Sequence, residues 1–181
     1  MMDWVHHLIL LPVLLPLACG AALIPLHMSR HRFKFAVSMG VLLAQVGVAL
    51  ALMVLADTEY WPQGIGVYLA ANWAAPFGIA LVADRLSALM LLLASVIGIA
   101  ALLFSLGRWS RVGVHFHSLF QFLLMGINGA CLTHDLFNLF VFFEVMLGAS
   151  YGLALHGSGG QRVRAGLHCI AINLTASLLF L

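Results

Sequence analysis

Charge is what this sequence has least of. Only 8% of its 181 residues are Asp, Glu, Lys or Arg, against about 25% in soluble globular proteins, while 64% are hydrophobic. That imbalance excludes a soluble globular domain and leaves an integral membrane protein. The formal net charge of +2 comes without any basic run, which removes nucleic acid as a partner. Cysteine is sparse too. Cys19, Cys131 and Cys169 each stand alone in an apolar segment, without the paired spacing of zinc or redox motifs, and read as small buried hydrophobes. No basic residue precedes the first apolar run, so that run is expected to be a retained helix rather than a cleavable signal peptide. A phosphate-binding glycine loop, a His-Glu-x-x-His pair and a Gly-x-Ser-x-Gly elbow are all missing. Hydrolysis, nucleotide binding and redox chemistry therefore have no motif. No cofactor or metal is implied, and the chain reads as a transporter rather than an enzyme.

What is abundant is apolar sequence in runs long enough to cross a membrane, at about 8–26, 35–56, 86–106, 117–133, 136–156 and 165–181. Continuous runs of about 20 residues indicate helices, since barrel strands alternate over about ten. The expected fold is therefore all-α, a polytopic membrane helical bundle of about six spans forming a single transmembrane region over 1–181. The sixth run stops after about 17 residues, at the short end of a span, so the chain is expected to be cut there. Pro12 and Pro16 should bend the first helix. The connection from Asp57 to Asp84, with Pro62, Gly64, Gly66 and Pro76, has room for a small hairpin. Its Trp61, Tyr68 and Trp73 fit an interfacial aromatic belt.

The few charges are sorted by side. Arg30, Arg32 and Lys34 fall between the first two runs, Arg108 and Arg111 between the third and fourth, and Arg162 and Arg164 between the last two. Seven of the eight basic residues thus share one side, which the positive-inside rule makes the cytoplasm, with the N-terminus outside. Asp3, Asp57, Glu59, Asp84 and Asp135 collect on the other side, where Asp84 could pair with Arg85.

Glu144 is the exception. It sits near the middle of the fifth run with no charged neighbour within eight positions. An ionisable group at the bilayer centre costs roughly 2.5–3.5 kcal/mol on insertion scales and is a functional-site candidate by default. A glutamate facing a lysine or histidine on another helix exchanges protons as their separation changes. Phe137, Phe140, Val141, Leu147, Gly148 and Tyr151 share its helical face and suggest a packed position, the alternative being a structural glutamate bonded inside the bundle. Tyr151 and Asn138 could hydrate a proton path. His168, early in the sixth run, is a candidate relay, and His134 with Asp135 a candidate outer mouth. His115-Phe-His117 is a His-x-His pair without a third ligand.

Residues Asn72-Trp-Ala-Ala-Pro-Phe-Gly-Ile-Ala-Leu-Val-Ala-Asp84, Leu86-Ser-Ala-Leu-Met90, and Leu132-Thr-His-Asp-Leu-Phe-Asn-Leu-Phe-Val-Phe-Phe-Glu-Val145 with Ala149-Ser-Tyr151 carry a family pattern. The chain resembles the D subunit of the Mrp-type multisubunit sodium/proton antiporters, the multisubunit cation/proton antiporter 3 family. It is also similar to the antiporter-like subunits of respiratory complex I. The resemblance implies the N-terminal part of an approximately 14-helix fold in a bacterial inner membrane, joined to other antiporter subunits. It implies exchange of Na+ or another monovalent cation for protons, with Glu144 paired to a lysine on a later helix beyond Leu181. Two departures stand out. His134 replaces a glycine common in relatives, and His168-Cys169 replaces lysine or histidine followed by tyrosine. The alternatives are a proton-pumping subunit of complex I or a membrane-bound hydrogenase, and a scaffold that transports nothing.

Overall fold

The computed structural model describes residues 4–26, 31–58, 61–70, 78–106, 115–156 and 160–180. The elements are α1 (Trp4–His7), α2 (Leu11–Leu23), α3 (His31–Asp57), β1 (Gly66–Leu69), β2 (Ala80–Ala83), α4 (Arg85–Ser105), α5 (Phe116–Leu132), α6 (Leu136–Ala154) and α7 (Gly160–Phe180). Helices α3, α4 and α6 are long and apolar enough to cross a membrane, and α2, α5 and residues 166–179 are shorter apolar helices. Arg30, Arg108, Arg111, Asp3, Glu59 and Trp73 lie outside the described residues.

Proline shapes the first run. Pro12 has no N–H to offer the Leu8 carbonyl, and Leu11 N donates to it instead, so the chain makes tight turns between α1 and α2. Pro16, inside α2, leaves the Pro12 carbonyl without its helical donor. Two side chains from other helices take over: Asn128 Nδ2 on α5 donates to Pro12 O at 2.9 Å and Gln45 Nε2 on α3 at 3.3 Å. Both amides are buried, and the proline break thereby ties three helices together.

Helices α2, α3, α4 and α5 pack around one another, α6 lies on α5, and α7 lies on α6. Ile9, Val13, Leu52, Leu91, Leu132 and Phe142 belong to one apolar cluster, and Leu42, Leu102, Phe120 and Leu124 form a second. Strands β1 and β2 form an antiparallel hairpin with Gly66 opposite Ala83. Trp61 packs into this end of the bundle rather than facing outward. It is 2% exposed, its ring lying where any side chain at position 66 would stand. Tyr68 meets the edge of the His7 ring.

The structure corrects three local readings. Asp84 does not pair with Arg85, because its carboxylate caps α4, accepting from Ser87 N at 2.6 Å while Ser87 Oγ accepts from Asp84 N. Arg85 reaches Asp57 instead, at 2.7 Å, in a pair too exposed to contribute more than about 1 kcal/mol. Lys34 and Arg32 are not loop residues: α3 begins at His31, ahead of the apolar run, and Lys34 is buried. Of the cysteines, Cys19 is buried, Cys131 half-buried and Cys169 exposed, since α7 has little packed against it.

Candidate functional site

The orientation of Glu144 is decided on the far side of its own helix. Asp135 starts α6, its carboxylate accepting from Asn138 N. Two glycines on α5 then receive it. A Cβ at Gly126 would stand 2.8 Å from Met146, and one at Gly129 would run into the Phe142 ring. Met146 and Phe142, four residues apart, therefore seat α6 against α5, with Asn138 buried one turn earlier on the same face. Glu144 follows Phe142 by two positions, about 200° around the helix, and so faces away from α5 towards α7.

There the half-buried Glu144 Oε1 accepts a hydrogen bond from Ser177 Oγ. Two cavities flank the pair between α6 and α7. One, of about 370 Å³, is lined by Leu139, Phe140, Phe143, Leu147, Asn173, Ala176 and Ser177. The other, of about 340 Å³, has Glu144 on its wall together with Gly148, Tyr151, Gly152, Leu155, Ile170 and Leu174. The Tyr151 hydroxyl is buried and, among the described residues, without a hydrogen-bond partner. Glu144 and Tyr151 thus line one water-sized space and Ser177 the other, with the Glu144–Ser177 hydrogen bond between the two.

The expected site residues do not all converge. Phe140, Leu147, Gly148 and Tyr151 line the two cavities, whereas Phe137 is 63% exposed and Val141 also faces outward, so the packed face is narrower than the sequence suggests. His168 is exposed. It precedes Ser177 by nine residues, two and a half turns, and so lies on the opposite face of α7 from the Glu144 bond. His134 and Asp135 are exposed at the far end of α6, about 13.5 Å along the helix from Glu144. Their turn is held by the hairpin: His134 N donates to Ala80 O, and Thr133 pairs with Leu81. Sequence reasoning missed Ser177 and Asn173, because it searched for titratable groups. Their one-turn spacing in an apolar helix was the available signal.

No protein-family model matches the chain. A probable K+/H+ antiporter D subunit of Rhizobium meliloti (strain 1021) is 57% identical over 183 residues, covering 100% of this chain and 34% of the relative. A Na+/H+ antiporter D subunit of Alkalihalophilus pseudofirmus is 43% identical over 178 residues, covering 97% of this chain and 35% of the relative. The solved structure of the Mrp complex from Dietzia sp. DQ12-45-1b superposes with a TM-score of 0.84 at 34% identity, covering 98% of this chain and 33% of that one. The chain belongs to the D-subunit family of the Mrp-type antiporters. Its fold is accordingly a mostly helical, multi-pass membrane bundle, and it spans about a third of the length of the curated D-subunit relatives it matches. A membrane-bound sulfane sulfur reductase, an archaeal respiratory membrane complex, contains a chain that superposes with a TM-score of 0.76 at 25% identity, covering 97% of this chain and 35% of that one.

Proposed function

We propose that this chain forms part of the D subunit of a multisubunit antiporter that exchanges a monovalent cation for protons, and that Glu144 is a proton-translocating group in it. The observation that carries the reading is the placement of Glu144. It is mid-span, turned away from the packed core and bonded across the α6–α7 seam beside water-sized space. An ionised carboxylate at that depth needs a compensating cation as well as a hydroxyl donor. In this reading a lysine on a later helix, outside the chain, supplies it. The proton moves as the separation between that lysine and Glu144 changes. On the same reading the other antiporter subunits are the chain's partners in the membrane. In this reading the start of α3 and of α7, where basic residues gather, is cytoplasmic and the N-terminus is outside.

The test uses everted vesicles containing the whole complex, acidified inside by respiration and read by a pH dye. Added Na+ or K+ should release the gradient with the wild-type complex, and Glu144→Gln should abolish that release at matched assembly. Full activity in the variant would make Glu144 a structural residue. No effect of either cation on the wild type would favour a redox-driven complex, the reading to which the respiratory structural neighbour lends support.

A further inference from the structure

The described residues contain a second buried polar site, on the opposite flank of the bundle from Glu144. Lys34 and Ser38, one turn apart on α3, face His117 and Gln121, one turn apart on α5. All four are at most 2% exposed. His117 Nδ1 shares a hydrogen bond of 3.3 Å with Ser38 Oγ, and Gln121 Nε2 donates to Ser38 O at 3.4 Å. The Phe35 and Phe116 rings stand edge-on to the imidazole, with centroids 6.5 and 5.4 Å away. His117 Nε2, Gln121 Oε1 and Ser118 Oγ are buried without partners among the described residues. The unpartnered ring nitrogen, with the Gln121 oxygen one turn along on the same face, needs a proton or a water to complete it.

Leu42, Leu102, Phe120 and Leu124 close the seam on the far side, so an apolar layer separates Gln121 from Gln45 and Asn128. Among the described residues, the groups facing the ring from the other side include Lys34 and His31 on α3. His115 adjoins it just ahead of α5, and His156, beyond α6, lies against the Phe116 ring. This is the end of α3 and α5 where the basic residues place the cytoplasm.

We propose that His117 is a proton-binding site loaded from the cytoplasmic face, and that its occupancy sets how α5 sits against α3. Loading transfers one proton from water to the ring nitrogen not bonded to Ser38 and leaves hydroxide or buffer base in solution. The product is an imidazolium in the same buried seam as the Lys34 ammonium, two like charges, which favours their separation. Movement of α5 reaches Glu144 through the close Gly126–Met146 and Gly129–Phe142 contacts. The site is thus a cytoplasmic pH input to the α6–α7 seam. This last step rests on the antiporter reading, whereas proton binding at His117 does not.

The two are therefore tested separately on the whole complex. Proton binding is read by pH-difference infrared spectroscopy of the imidazole bands, comparing wild type with His117→Gln, Lys34→Met and Lys34→Arg. One titrating band should vanish in His117→Gln. Its midpoint should move to higher pH by about one unit or more in Lys34→Met and stay within a few tenths in Lys34→Arg. An unchanged spectrum in His117→Gln, or an unmoved midpoint in Lys34→Met, would overturn the site. If His117→Gln does not assemble, the two Lys34 variants decide. Coupling is read by cation-driven proton release as cytoplasmic-side pH is varied. His117→Gln should flatten its acid limb, and a profile identical to wild type would sink the coupling while leaving both Glu144 and the proton site standing.

Discussion

Asp84 is a residue whose charge the fold puts to local use. The backbone N–H of Ser87 holds its carboxyl below the ordinary range, against the opposing effect of burial, with the Ser87 hydroxyl adding to the first. Because the folded pKa is depressed, the uncapped segment binds more protons on acidification. The cap's contribution is therefore complete above the ordinary value of 3.8 and is lost as pH falls through the folded one. Asp84→Ala should loosen the start of α4 by about 1 kcal/mol at neutral pH. Asp84→Asn should keep most of that protection and lose its acid dependence. Hydrogen-exchange protection at Ser87 and Ala88, corrected for intrinsic rates, reads both. Glu144 differs in kind: its hydroxyl partner comes from another helix, so its chemistry depends on the seam and not on its own turn.

At the scale of the element, α2 is a helix repaired from outside. Pro16 withholds an N–H from the Pro12 carbonyl, and Asn128 and Gln45 replace it. The amides and the proline should then be energetically coupled. Asn128→Ala is expected to cost about 1–2 kcal/mol in the native background and about 1 kcal/mol less when Pro16→Ala has restored the helical bond. The check is a double-mutant cycle on thermal unfolding of the purified complex, in which Asn128→Ala should lower the midpoint more in the native background than beside Pro16→Ala. Equal shifts in both backgrounds would mean that Asn128 serves something other than the broken helix. Helix α6 shows the complementary device, in which glycines on α5 admit its bulky side chains and so aim Glu144 the other way.

At the scale of the molecule, the bundle has two faces of different character. The α2–α5 group is closed around its own core, whereas α7 rests on α6 and leaves Leu167, Ile172, Leu178 and Leu179 57–84% exposed. Relatives of this family carry about twice as much chain again beyond the portion matched. The proposed orientation is testable without any assumption about transport. In the whole complex, a cysteine at His134→Cys should react with a membrane-impermeant reagent in intact cells, and one at Arg164→Cys only in everted vesicles. Both positions are exposed. The reverse pattern would invert the topology and move the His117 site to the outer face.

The membrane class, the helical runs, the place of the hairpin and the singularity of Glu144 were legible in the sequence. They follow from transfer free energies and turn chemistry that each short stretch carries alone. The four residues by which α3 precedes its apolar run were not, because a hydropathy window stops at the first charges while helical hydrogen bonding continues through them. That difference turned Lys34 from a loop cation into part of a buried site. Only the tertiary structure decided which way Glu144 faces, that Ser177 meets it, that His168 turns away, that Trp61 is core and that two amides mend α2. Those outcomes depend on close approach between residues up to 116 positions apart, and close approach is set by the missing side chains of Gly66, Gly126 and Gly129 and the missing N–H of Pro16.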